Sequence, residues 1–165
     1  ARITTIYEGT NGVQAMDLLG RKIVRDGGEA AQLFLEKVER TIDQLDPKIE
    51  AHASLSKNLK SSVAALRETI DWMLDTFKLE PGYAGAGATA LLEMMGLISG
   101  GWMLARGAIE ASKQIARGTG DSRFLSSKLV TARYFSEVHL SRASSLVGPI
   151  KNGGSCVMEF DSAQF

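Results

Sequence analysis

Glu8 is the residue whose neighbours best equip it for chemistry. It stands in the opening stretch RITTIYEGTNGVQ, Arg2 to Gln14, behind Ile3, Ile6 and Tyr7 and ahead of Gly9. A carboxylate held among apolar groups is poorly hydrated when charged, so its pKa rises toward a value useful for proton abstraction. The plainer alternative is a solvated carboxylate in a turn or at the start of a helix, where the helix dipole favours an anion. Thr10, Asn11 and Gly12 follow at a helix N-terminus, whose free amides favour anionic groups. Thr10 and Asn11 also suit plain helix capping.

Other reactive residue types are sparse. The single cysteine, Cys156, rules out an internal disulfide framework, and with only His52 and His139 beside it no structural zinc site can be assembled, so no metal is expected. One thiol fits a reducing, cytoplasmic compartment. His139 reads as a core histidine and His52 as a surface residue. Tyr7 reads as packing, Arg2 as a surface arginine, and Met94, Met95, Trp102 and Met103 as core rather than a cofactor box. Glu93, isolated on an apolar helix, is expected to pair with a basic residue of a neighbouring helix.

These residues must be positioned by a chain of 165 residues, 44% hydrophobic, with nineteen basic and nineteen acidic side chains. That length suffices for a globular core, and zero net charge offers no positive field to nucleic acid or an anionic membrane. Residues 84–105 are long enough to span a bilayer. Their glycines dilute the hydrophobicity, and Glu93 near the middle costs about 2.5 kcal/mol or more on insertion, so no membrane span is expected. The sequence opens without methionine inside an apolar pattern, which reads as a piece of a longer chain.

Strand alternation is nearly absent while helical periodicity recurs, which predicts an all-α, antiparallel up-and-down bundle of four to five helices with an N-terminal motif segment and an irregular C-terminal tail. The first helix begins after Thr10 or Asn11, with Asn11 and Gln14 as a capping box and Val13, Met16, Gly20 and Ile23 on one face; it stops at Asp26-Gly27-Gly28. A second runs over about 29–45, its inner side Phe34, Val38, Thr41, Ile42 and Leu45. The third, about 47–78, starts with Pro47 in its first turn and carries the seam Leu59, Val63, Leu66, Ile70, Met73 and Phe77. Glu80-Pro81-Gly82 marks a turn. The fourth, about 84–117, is apolar or small nearly all round at first, as an enclosed helix would be. Asp121 or Ser122 caps a fifth, with Leu125, Leu129, Ala132, Phe135 or Ser136, and His139 facing inward. Gly148-Pro149 and Gly153-Gly154 end regular structure. The division is therefore 1–26 for the motif loop and first helix, 27–146 for the bundle, and 147–165 for the tail.

RITTIYEGTNGVQ closely resembles the segment of flavin-dependent acyl-CoA dehydrogenases that holds the catalytic base, with its Tyr-Glu-Gly-Thr followed by a helix containing Gln. The remainder, above all GLISGGWMLARGAIEA, resembles more loosely the extra C-terminal helical domain of the larger bacterial members of that family. The resemblance implies α,β-dehydrogenation of an acyl-CoA thioester, with Glu8 removing the α proton while hydride leaves the β carbon for FAD. Gly9, without a β carbon, would let the backbone approach the thioester and its amide polarise that group. Thr10, Asn11 and Gly12 carry over as cofactor contacts; many members have a larger polar side chain where Gly12 stands, so a side-chain contact is not implied there. The implied partners are the remainder of the enzyme chain, an electron-transfer flavoprotein and further copies in a homo-oligomer. With neither sheet nor glycine-rich dinucleotide loop, the chain alone is expected to be inactive and to retain no stoichiometric flavin. Short, branched or sulfur-containing acyl groups all fit, because residues outside the 165 would line that pocket. Two alternatives are a helical interaction module for oligomerisation or partner docking, and a stand-alone helical protein whose opening residues match by chance.

Overall fold

The computed structural model describes residues 10–161 and 163, and among these no strand occurs. The helices are α1 (Asn11–Asp17), which continues as a π-helix over Leu18–Val24, α2 (Glu29–Ile42), α3 (Glu50–Leu79), α4 (Pro81–Ala86), α5 (Ala88–Arg117), α6 (Ser122–Val138), a 3₁₀ segment Leu140–Leu146, and α7 (Val147–Met158). The all-α expectation holds.

Local chemistry sets the element ends. The π-helix closes on Gly27 and Gly28, both at positive φ, with the Gly28 amide donating to the Ile23 carbonyl and the Gly27 amide to that of Val24, a Schellman motif only glycine enters without strain. The Asp26 carboxylate accepts from the amides of Gly28 and Ala30, so one residue ends a helix and starts α2. Asp121 caps α6 as expected, accepting from the amides of Arg123 and Phe124. The capping box does not form: Thr10 is the N-cap of α1 and its side chain makes no capping hydrogen bond. The expected inner face of the first helix is displaced too. Ala15, Leu19 and Ile23 are buried at a spacing of four that the wider π turns accommodate, whereas Val13 and Met16 are exposed.

The chain forms two compact units, each assembled from separated stretches. The first comprises the described residues up to Leu33, Leu66–Met95 and those from Ser145 onward. Its core is Leu19, Ile23, Leu66, Ile70, Met73, Leu91, Met94 and Ile150. Backbones approach closely here: a β carbon on Gly87 would lie 2.7 Å from the Ile150 carbonyl oxygen, and one on Gly154 2.7 Å from the Tyr83 ring. This corrects the irregular tail. Gly148 and Pro149 fall in the first turn of α7, where no amide donor is required of proline, and Gly154 serves contact with Tyr83 rather than helix breaking. Likewise Pro81 starts α4 where only a turn was expected.

The second unit comprises Phe34–Ala65 and Gly96–Ser144. Leu35, Val38, Leu55, Leu59, Val63, Ile98, Ala105, Leu125 and Leu140 form its core. Within it α3 and α5 run antiparallel, since His52 meets Ser112 while Leu59 lies against Gly101. Gly100 and Gly101 admit Phe135 and Leu140, each of which would stand 2.8 Å from an added β carbon. Trp102 donates to the Thr41 hydroxyl at 2.8 Å with Phe34 edge-on to its ring, and Ser54 and Asn58 bind Ser136.

The third helix starts at Glu50, not Pro47, and its seam is buried from Leu59 to Met73, with Phe77 half-buried. The expected enclosure of the apolar helix is only partial. α5 is long and apolar enough to cross a membrane by length and composition, yet a third of its most apolar window is buried. Met94 is core, Met95 and Trp102 are half-buried, and Glu93 and Met103 are exposed, so Glu93 is no buried charge.

Candidate functional site

Glu8 and Gly9, the expected base and its neighbour, lie outside the described residues. The three positions that follow are described. Thr10 is half-buried, while Asn11 and Gly12 are exposed, and a β carbon on Gly12 would meet nothing within 4 Å. The start of α1 is thus open and presents first-turn amides without a side-chain cap. Such a turn fits an anionic group of a dinucleotide cofactor. Val13 and Met16, 68% and 48% exposed, continue this open face as apolar surface.

His52 and Ser112 form the contact that most resembles a catalytic pair, and neither was expected. His52 is 2% exposed, not a surface residue. Its Nδ1 accepts the Asp46 amide at 3.1 Å, and its Nε2 lies 3.1 Å from the Ser112 hydroxyl. An Nδ1 that accepts carries no proton, so in the neutral ring the proton sits on Nε2 and points at Ser112. That tautomer cannot take the hydroxyl proton as a general base would. The pair is a brace between the turn and α5.

The remaining chemistry is structural as well. His139 is half-buried against the rings of Tyr134 and Phe135. Glu137 and Glu50 both pair with Arg133, at 2.9 and 2.6 Å, and push its pKa above the ordinary arginine value, the Glu137 hydrogen bond first. Among the described residues no three His, Cys, Asp or Glu side chains gather as a metal site.

The family model described as acetyl-CoA dehydrogenase C-terminal like matches residues 34–161, and the chain belongs to that family. It is 36% identical over 158 residues, 96% of its length, to 3-methylmercaptopropionyl-CoA dehydrogenase of Ruegeria pomeroyi. It is 29% identical over its full length to the broad-specificity linear acyl-CoA dehydrogenase FadE5 of Mycobacterium tuberculosis. The chain spans only 27% and 28% of these relatives' lengths.

Proposed function

We propose that this chain is the C-terminal part of an FAD-dependent acyl-CoA dehydrogenase, contributing the base-bearing Tyr-Glu-Gly-Thr stretch and an appended helical domain. The observation that carries this reading is the alignment of essentially the whole chain with two enzymes both named as acyl-CoA dehydrogenases.

The Glu8 carboxylate takes the proton from the α carbon of the acyl thioester as general base. The Gly9 amide donates to the thioester carbonyl oxygen, where charge builds as the α C–H bond breaks. FAD, when bound, supplies the acceptor for the hydride that leaves the β carbon as the double bond forms. Thr10, Asn11 and Gly12 would hold an anionic group of the cofactor at the start of α1. An electron-transfer flavoprotein reoxidises the enzyme, which works as a homo-oligomer in the cytoplasm; the exposed, unbridged Cys156 suits that reducing setting.

The deciding experiment is anaerobic flavin bleaching in the complete enzyme by a panel of acyl-CoA thioesters, comparing the parent with Glu8→Gln. The variant keeps the shape and removes the base, so it should bind acyl-CoA but bleach at least about a thousandfold more slowly. Equal bleaching would place the base elsewhere. The second reading, a helical interaction module, is favoured by the exposed apolar residues of α6.

A further inference from the structure

α6 carries two seams. Leu125, Leu129, Ala132 and Ser136 turn inward within the second unit, while Arg123, Ser127, Val130, Tyr134 and Glu137 follow one another at spacings of four and three on the outside, all exposed. Alternating spacings of four and three are what a helix presents to a second helix packed at a shallow angle. Val130 is 69% and Tyr134 58% exposed, large apolar surface that water covers only at a cost.

Three hydroxyls along or beside this face are already paired within the chain. Ser127 donates to the Arg123 carbonyl, Thr131 to that of Ser127, and Ser141 to that of Glu137, each four residues back. Their hydroxyls are satisfied by their own helix, so covering them leaves no donor unmatched. The first half of the face is a shallow concavity of small and aliphatic residues, lined by Ser126, Ser127, Val130 and Thr131 with Arg123 at its rim. In the second half the exposed Tyr134 ring stands edge-on to His139.

We propose that this face is an interface with a second copy of the chain, the two α6 helices packing antiparallel about a dyad at Val130. The arithmetic of such a dyad fits the side chains. Position 130 plus four meets 130 minus four, so Tyr134 of each copy enters the concavity at Ser126 of the other. Position 130 plus seven meets 130 minus seven, so Glu137 of each copy faces Arg123 of the other. Arg123 has no carboxylate partner among the described residues, and the Glu137 side chain, though paired with Arg133, is 48% exposed. Large meets small and positive meets negative only in the antiparallel register; a parallel pair would stack arginine on arginine and tyrosine on tyrosine. An isologous contact of this kind closes on itself.

The test uses the full-length enzyme with Cys156→Ser and with every cysteine outside these 165 residues likewise replaced by serine. Val130→Cys sits on the dyad, where two helices in contact bring like residues within disulfide reach, so mild oxidation should give a covalent dimer on a non-reducing gel. Arg123→Cys and Tyr134→Cys should not, because each faces a different residue of the other copy. Tyr134→Ala should raise the dissociation constant measured by sedimentation at least about tenfold. A Val130→Cys enzyme that stays uncrosslinked overturns the proposal, whether its thiol reacts with maleimide and is open or resists it and is covered by another part of the chain. Crosslinking at all three positions overturns it in favour of a parallel pair, and an unchanged dissociation constant for Tyr134→Ala overturns it too. Flavin bleaching by acyl-CoA, which depends on Glu8, should persist in every variant, so this interface and the dehydrogenase reading fail separately.

Discussion

His52 shows how a single side chain can fix a turn. Its two ring nitrogens are both engaged, one accepting the Asp46 amide and the other facing the Ser112 hydroxyl, and the ring is closed off from water. Replacing it by leucine keeps much of the volume but removes the hydrogen bonds to both the Asp46 amide and the Ser112 hydroxyl, a loss of about 0.5–1.5 kcal/mol for each. Chemical denaturation of His52→Leu should show that loss. Ser112→Ala should cost less, under about 1 kcal/mol, since Ser112 is only half-buried and water can reach the ring nitrogen it leaves. The same residue marks a limit of sequence reasoning. It stands seven residues before Leu59, in phase with the buried Leu59, Leu66 and Met73, so the periodicity places it on the buried side of α3 and only its polar residue type speaks for the surface. The groups that satisfy its ring, the Asp46 amide and the Ser112 hydroxyl, lie outside α3, where no local pattern could show them.

At the scale of elements, the glycines divide by what a methyl group would meet. At Gly87 an added β carbon runs into the Ile150 carbonyl and Met73, and at Gly154 into the backbone oxygen and ring of Tyr83. Backbone cannot rotate away, so Gly87→Ala and Gly154→Ala should each cost about 1–3 kcal/mol. Gly96 and Gly107, on the exposed side of α5, meet nothing within 4 Å, and alanine there should instead stabilise by about 0.5–1 kcal/mol. Thermal melts of the four variants check both signs. This division explains which elements were legible. The four-three seam of α3 and the Asp121 cap are local patterns, and both stand as read. Gly-Pro and Gly-Gly in 148–154 carry the local signal of a terminated helix, but α7 forms because Gly154 lets it lie against Tyr83, a reason that resides in another element. The π turns at Leu18–Val24 escaped for a related cause: a period of four over two steps is too short to be told from an ordinary helix. Of the candidate site, the stretch Arg2–Gln14 was legible through motif resemblance alone, since no periodicity assigns a role to Glu8.

At the scale of the molecule, each unit owns a buried core, built in both cases by helices alone among the described residues. Among the described residues no buried side-chain nitrogen or oxygen lacks a partner. The 165 residues expressed alone should therefore give a strongly helical circular dichroism spectrum and a cooperative melt. Flavin binding is a different demand. Of the groups proposed to touch it, only Thr10, Asn11 and Gly12 are described, and they form one open turn with an exposed side rather than a cleft. A single helix start contributes about 1 kcal/mol or less toward an anion at an exposed surface, far short of the roughly 8 kcal/mol that a micromolar cofactor requires. The expected preparation is colourless and inactive toward acyl-CoA, while the full-length enzyme is yellow and bleaches. Visible absorbance of the purified proteins decides this directly. Stoichiometric flavin on the 165 residues alone would mean that these helices themselves enclose the cofactor, and that the catalytic centre belongs to this chain rather than being completed by the rest of the enzyme.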